Sequence, residues 1–419
     1  MFAVVLLPFT LISLNSVTLV SSVSRANASN AGASKVEDCH DRSYHQGKFT
    51  AWLTDLKYEA LRQGISQQTL DLAAPYMVYD PGIIRKDNNQ GIFQSTFLQF
   101  SDRLATEDRR TKAILHGKKY QVLFSRIEQR HGVPAPVLLS FWALESDFRS
   151  QVGKDHVLTA TTTLAFDCRR PDFFRKELLS ALRILQNGDI PLEQMVGDWA
   201  GELGGLQFTP TDYLLYAVDF DQDGRRDILH SKTDMLATGA NFLAHLGWRR
   251  GEPWIQEVRL PGTFAWEKTG LEIEQTRTEW VKSGVQSVGS DLPADDLPAS
   301  LFLPMGHLGP AFLLYHNFKN AYLGWNSAMM YSLTAAYLAT RIAGAPAVTA
   351  DSAALVVPLQ SEQLRELQSR LVADGFQVNV DGKLGLETRR SVKKAQLKYG
   401  LIADGYPTLE LLERLPAVR

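Results

Sequence analysis

Residues Asp198–Asp227 read DWAGELGGLQFTPTDYLLYAVDFDQDGRRD, and three chemical statements sit in that one stretch. Gly201, Gly204 and Gly205 surround Ala200, Glu202 and Leu203, a run in which missing Cβ atoms let the backbone approach a ligand or another segment closely. Gln207 and Phe208 follow, an amide and a ring placed as a pocket lining would place them. Thr209-Pro210-Thr211 then opens a tyrosine-rich helix. That helix empties into DFDQDGRRD, where carboxylates alternate around one glycine at the spacing of an oxygen-ligand metal loop.

Outward from this stretch the texture is helical. Phe49-Trp52-Leu53-Leu56, Leu61-Ile65 and Leu178-Leu179-Leu182-Leu185 repeat apolar residues at helical spacing, so a mainly α body with short loops is expected from about Ser43 to Gly344. Between Trp254 and Phe318 the pattern changes. Ile255-Gln256-Glu257-Val258-Arg259-Leu260 alternates, and Ser300-Leu301-Phe302-Leu303 precedes a turn into Ala311-Phe312-Leu313-Leu314-Tyr315, which predicts a small sheet inserted in the helical body. Residues 346–358, poor in charge and rich in Ala, Val and Pro, read as a linker between a body at 35–345 and a tail at 359–416. The tail combines helical spacing in Leu364-Leu367-Leu371 and Val392-Ala395-Gln396 with turns at Asp374-Gly375, Asp381-Gly382 and Asp404-Gly405. It predicts a compact three-helix module, and its lack of grouped acids, bases or nucleophiles favours binding over catalysis.

With 419 residues and 45% hydrophobic content the chain is long enough for two domains or more and for a sizeable core. A net charge of −2 gives no basic stripe for nucleic acid, which is excluded as a partner. Phe2 to Val20 is apolar, and Ala26-Asn27-Ala28 supplies a small-x-small cleavage pattern, so residues 1–28 are expected to be a signal peptide and the mature chain exported to the periplasm. No Lys or Arg precedes the apolar stretch, which leaves a membrane anchor at residues 2–20 as the alternative. In an exported chain the two cysteines, Cys39 and Cys168, are a candidate disulfide, two buried thiols being the other reading.

Val133-Pro134-Ala135-Pro136 opens a helix as proline allows near an N-terminus, and the run Val137-Leu138-Leu139-Ser140-Phe141-Trp142-Ala143-Leu144 ends in Glu145. Helical spacing sets Glu145 over Phe141 and Trp142, where desolvation would favour the neutral acid that a glycosidic oxygen needs as proton donor. The alternative is that helix winding carries it to solvent. Ordinary glycoside hydrolysis would require a second carboxylate, for which Asp147, Asp198 and Glu202 are candidates.

Ala143-Leu144-Glu145-Ser146, the run from Trp199 to Gln207-Phe208-Thr209-Pro210, Tyr216-Ala217-Val218-Asp219, and Trp325-Asn326-Ser327 with Tyr331 together resemble the lytic murein transglycosylase B family, whose body is lysozyme-like. The tail, with Gly375-Phe376, Asp381-Gly382-Lys383-Leu384-Gly385 and Thr388, resembles a peptidoglycan-binding module. The resemblance implies cleavage of the bond between N-acetylmuramic acid and N-acetylglucosamine without water, giving a 1,6-anhydro end, with Glu145 as sole acid and base and no cofactor required for the chemistry. It also implies that Gln207, Asn326 and Tyr331 contact sugar, that Phe208 belongs to the cleft wall, and that Arg169 and Arg170 lie near the cleft. Glycan strands, and the cell-wall synthesis or remodelling proteins that handle them, are the implied partners. Asp198 stands where that family commonly carries serine, placing an added charge among the substrate-binding candidates. The competing readings are a hydrolytic muramidase that activates water through Asp198 or Glu202, and a catalytically silent wall-binding protein.

In the acidic loop, Asp219, Asp221, Asp223, Arg225 and Asp227 fall on the first, third, fifth, seventh and ninth positions of a calcium loop, Arg225 offering its carbonyl. His230 holds the twelfth position, where calcium prefers a bidentate carboxylate. A structural calcium site is expected, the alternative being a turn compensated by Arg225 and Arg226.

Overall fold

The computed structural model describes residues 46–88, 95–289, 291–348 and 356–417. The apolar N-terminal segment with its expected cleavage site, Cys39 and most of the expected linker lie outside the described residues. Among the described residues no helix is long and apolar enough to cross a membrane. The body is mainly helical with a small sheet, as the periodicity predicts, and two compact units divide it.

The first unit takes in residues 46–88 and 145–242. Its centre is the helix Val157–Phe166, in which eight of ten residues are buried, so it runs through the core. Its threonines find backbone partners: Thr161 Oγ1 donates to the Val157 carbonyl at 2.7 Å and Thr159 Oγ1 to that of Tyr76 at 2.8 Å. Against it packs Pro171–Asn187, started by proline in its first turn, amphipathic through Phe174, Leu178, Ala181 and Leu182, and ended by Gly188 at φ 72°. A short antiparallel ladder pairs Asp155 with Gly197 and His156 with Val196, tying the entry of the central helix to the glycine-rich stretch.

The second unit takes in 95–144 and 243–417. Five antiparallel strands lie in the spatial order Glu274–Thr276, Pro298–Phe302, Ala311–Leu314, Ile255–Arg259, Gln286–Ser287. Alternation gives the sheet two faces: Val258, Leu301 and Leu313 pack with Trp280 and Tyr315 on one, while Phe312 meets Phe97 on the other with ring centroids 5.5 Å apart. The tail forms three helices, Ser361–Ala373, Leu386–Lys398 and Leu409–Arg414, around Leu364, Leu367, Leu371, Val392 and Leu411. Gln368 caps the Asp381-Gly382 turn and Gln396 caps Asp404-Gly405 through the same amide contacts, so the module is an internal repeat.

Despite the expected linker, this module is seated on the sheet segment. Arg389 donates to the carbonyls of Leu303 and Pro304, at 3.2 and 2.8 Å, Lys393 donates to that of Thr269, and Asp404 accepts the His307 amide at 2.9 Å. Burial pulls the Arg389 guanidinium down to about 10. A cation so enclosed is tolerable because carbonyl dipoles replace its water.

Candidate active site

The apolar run of the sequence becomes the helix Ala135–Ser146. Phe141 stacks at 4.3 Å on Trp325 and Trp142 lies 5.0 Å from His116, both rings fully buried, so the hydrophobic turns anchor the helix and Glu145 sits in its last turn, half-buried. The chain then does something most residues avoid. Asp147 and Phe148 adopt φ of 51° and 65°, two consecutive non-glycine residues in the left-handed region. Ser146 Oγ donates to the Arg149 carbonyl at 3.1 Å and Arg149 Nε donates back to the Ser146 carbonyl at 2.8 Å, which holds the turn closed. Backbone cost of this kind persists where the surroundings over-determine it, and it collects at functional sites.

The glycine-rich stretch packs against this turn. A Cβ on Gly205 would stand 2.1 Å from the Arg149 carbonyl oxygen, and one on Gly197 would stand 2.1 Å from that of Glu202, so neither position accepts a side chain. Within the stretch, Asp198 Oδ1 accepts the amides of Ala200 and Glu202, both at 2.9 Å, while Oδ2 is buried without a hydrogen-bond partner among the described residues. Asp198 and Glu202 are each only 5% exposed. Burial pushes Asp198 up to about 7 against the pull of its amide bonds, and burial with the neighbouring charges of Asp198 and Glu145 drives Glu202 well above the usual carboxylate range. Arg170 opposes that shift on Glu202, yet its guanidinium is committed elsewhere. Asp87, 2% exposed, accepts Arg169 at 2.6 Å and Arg170 at 2.8 Å.

Gln207 also stands at positive φ, 55°, and its Nε2 donates to the Gly204 carbonyl at 2.7 Å. The amide nitrogen is thereby pinned, and Oε1 of this half-buried side chain is its acceptor. Leu203 and Phe208 exchange both backbone hydrogen bonds, and Thr209 then caps the helix Pro210–Tyr216. Phe208, expected in the cleft wall, is 1% exposed and meets the edge of Phe242, so it lies in the core beneath the loop. In the second unit, Tyr331 is buried and Asn326 is 2% exposed, with Oδ1 taking the Ala328 amide and Nδ2 left without an acceptor. Cys168 is disulfide-bonded.

In the acidic loop, carboxylate oxygens of Asp219, Asp221, Asp223 and Asp234 lie within 4.8 Å of one another. Asp227, expected as a ligand, is not in that group. Its Oδ1 accepts the amides of Leu229 at 3.0 Å and His230 at 2.9 Å, so it caps the following turn. Asp234, from the helix Lys232–His245, takes the inner position and accepts the amides of Phe220 and Asp227. Arg226 is no counter-charge for the cluster, since both its contacts at 2.8 Å go to Asp189, and Arg225 is exposed. Asp87 and Asp234 are the residues that sequence reading missed. Ser231-x-x-Asp234, a capping pattern on the helix after the loop, was the available signal for the second; Asp87 carried none.

Residues 48–340 match the family described as the Transglycosylase SLT domain, and residues 360–415 match the putative peptidoglycan binding domain. Membrane-bound lytic murein transglycosylase B of Escherichia coli (strain K12) is 30% identical over 186 residues, 43% of this chain and 50% of that protein, so the chain spans about half the length of the curated relative it matches. The crystal structure of SltB3 from Pseudomonas aeruginosa, in complex with NAG-anhNAM-pentapeptide, superposes with a TM-score of 0.81 at 38% identity, over 87% of this chain and 98% of that one. The Escherichia coli lytic transglycosylase Slt35, in complex with calcium, shares the fold at a TM-score of 0.58 and 24% identity, over 71% of this chain and 92% of that one. With the match extending over the whole helical body, this chain belongs to the Transglycosylase SLT domain family.

Proposed function

We propose that the chain is a lytic transglycosylase of peptidoglycan, cutting the bond between N-acetylmuramic acid and N-acetylglucosamine to leave a 1,6-anhydro-muramoyl end, with Glu145 as its single acid and base. Glu145 gives its proton to the bridging oxygen as the bond to C1 breaks. The muramoyl 6-hydroxyl oxygen then bonds to C1, and its proton passes to the Glu145 carboxylate, restoring the acid. No water enters, and a second carboxylate has no task.

The observation that carries this reading is the state of the other two carboxyls. A hydrolytic route needs a charged carboxylate beside a water molecule, whereas Asp198 and Glu202 are sealed from solvent and burial favours the proton on both. Gln207, fixed by Gly204, offers Oε1 to a sugar hydroxyl or amide. Asn326, whose buried Nδ2 has no acceptor among the described residues, and Tyr331, five residues on, are kept as candidate sugar contacts from the family resemblance. Arg169 and Arg170 act through Asp87, holding the Pro171–Asn187 helix entry in register.

The oxygen-only donor set of Asp219, Asp221, Asp223 and Asp234 suits calcium, a hard cation, and among the described residues the four carboxylates have no ion-pair partner. Arg225 would add its carbonyl. Calcium here would brace the loop after the Pro210–Tyr216 helix and takes no part in the bond cleavage. The proposed setting is the periplasm, with glycan strands as substrate and the residues 359–416 adding affinity for the wall.

Mass spectrometry of muropeptides released from sacculi tests the reaction. Products lighter by one water than hydrolytic ones are expected; reducing ends would move the case to a muramidase, and no release to a binding protein. Glu145→Gln should lower turnover by about 10²–10⁴ while sacculus binding persists, and unchanged turnover would remove Glu145 from the mechanism.

A further inference from the structure

The second unit contains a cavity of about 740 Å³ that shares no residue with the Glu145 cluster. It opens beside the strand Ile255–Arg259 and the C-terminal half of the helix Met329–Ile342. Its walls are aromatic. Trp254, Phe312 and Tyr337 line it, and Trp254 is fixed by its Nε1, which donates to the Ala336 carbonyl at 3.0 Å and to Thr340 Oγ1 at 2.9 Å.

Into this apolar setting the strand places a carboxylate. Glu257 alternates with Val258, which belongs to the opposite face and its core, and pairs in register with Phe312, so Glu257 stands on the aromatic side. Among the described residues it has neither an ion pair nor a side-chain hydrogen bond, and desolvation pushes it up to about 7. Glu252 adds a second unmet acceptor: Oε1 reaches Arg249 at 3.5 Å, while Oε2 is buried with no hydrogen bond. The lining carries four carboxylates against one guanidinium, and that guanidinium, Arg277, is spent on both oxygens of Asp295. A buried carboxylate oxygen without a partner is costly, and aromatic faces favour a cation over an anion. The volume falls in the range of ligand sites rather than packing voids.

We propose that this cavity is a second, non-catalytic binding site for a primary ammonium carried on an apolar stem, the charge taken by Glu257 and Glu252 and the stem lying against Trp254 and Tyr337. The source is either a small free diamine or an amine-bearing side chain of a peptide, and the site stands independently of the chemistry assigned to Glu145. The test titrates the full chain with cadaverine and with a lysine-containing tripeptide, each beside its acetylated counterpart, reading heat and tryptophan fluorescence. Saturable binding is expected for the amines, weakened about ten-fold or more by acetylation and by Glu257→Gln, with Glu252→Gln losing less. Glu257→Gln keeps the side-chain shape, and an unchanged melting temperature ties its loss to the ligand. Equal affinity for cadaverine and peptide identifies a small-amine site; tighter peptide binding identifies a peptide-borne amine. Absence of saturation at about 10 mM, equal affinity for acetylated ligands, or full affinity in Glu257→Gln overturns the proposal.

Discussion

Two acid-rich loops lie twenty residues apart in this chain and solve the same problem in opposite ways. Asp198 and Glu202 are buried, and what stabilises them is the proton: burial drives both upward, Asp198 to about 7. Asp219, Asp221 and Asp223 face water, with only Asp234 buried, and their oxygens converge within 4.8 Å on a point that suits a divalent cation. Solvent access decides which partner a crowded carboxylate takes. A sealed acid keeps its proton and can influence a neighbouring acid, whereas an open cluster leaves its oxygens accessible to the cation proposed for it.

The glycines offer the most forceful way to break the comparison. Gly205→Ala would drive a Cβ to 2.1 Å from the Arg149 carbonyl oxygen and 2.8 Å from Met235 Sδ, against backbone that already carries the turn after Glu145. We expect a loss of at least about 3–5 kcal/mol, seen as failure to fold or a collapsed melting temperature, with activity gone. A stable, active variant would mean that the buried loop is not the closely packed element described here.

Next in size is the pH dependence of stability. Asp198, Glu177 and Glu257 are each raised to about 7, and Glu202 is also raised well above the usual carboxylate range. An acid raised in the folded state binds its proton more tightly there than in the unfolded chain. Its contribution is complete below the unfolded value near 4 and is lost as pH climbs through the folded value. Stability should therefore fall from about pH 4.5 to about pH 7.5 by an amount on the order of a few kcal/mol, read as a falling melting temperature, and Asp198→Asn should flatten the slope. The depressed carboxyls, Asp295, Asp374 and Asp404, lose their contribution only at lower pH and leave this window untouched. A melting temperature that rises across the window would contradict the buried half of the comparison.

Calcium probes the open half. Saturating ion should stabilise the fold by about 2.7 kcal/mol at a hundred-fold excess over Kd, read as a higher melting temperature, and chelation should reverse it. Asp234→Asn should abolish the increment, whereas Asp227→Asn, outside the cluster, should preserve it. The reverse pattern would restore the loop reading drawn from spacing alone.

That last contrast shows where sequence stops being sufficient. The glycine run, the helical periods, the inserted sheet and the Asp-x-Asp-x-Asp-Gly spacing were legible because each is local: a missing Cβ, a repeat or a turn is written in adjacent residues. Asp234 was not legible as a member of the carboxylate cluster, since it comes from the next helix and stands there in place of Asp227, whose Oδ1 two backbone amides had already taken. Asp87 was invisible for the same reason, its two arginine partners lying far along the chain. Arg389 carries no local marker of burial, which depends on carbonyls supplied by Leu303 and Pro304 from a distant segment. The Glu145 position was legible as the end of an apolar helix, but the left-handed pair that follows it, Asp147 and Phe148, has no marker in residue type.

The smallest effect separates packing from backbone conformation. Gly224, in the open loop, has φ of +89°, but a Cβ there meets nothing within 4 Å. Gly224→Ala therefore incurs only the strain of a left-handed L-residue, about 1–2 kcal/mol. The carboxylate oxygens are untouched, so the variant should melt lower with and without calcium while keeping the full calcium increment. Gly224→Asn should recover part of the loss, because asparagine tolerates the left-handed region. If Gly224→Ala erased the increment, the loop would depend on that glycine for ligand geometry as tightly as the buried loop depends on Gly205 for packing, and the difference between the two loops would no longer be one of solvent access.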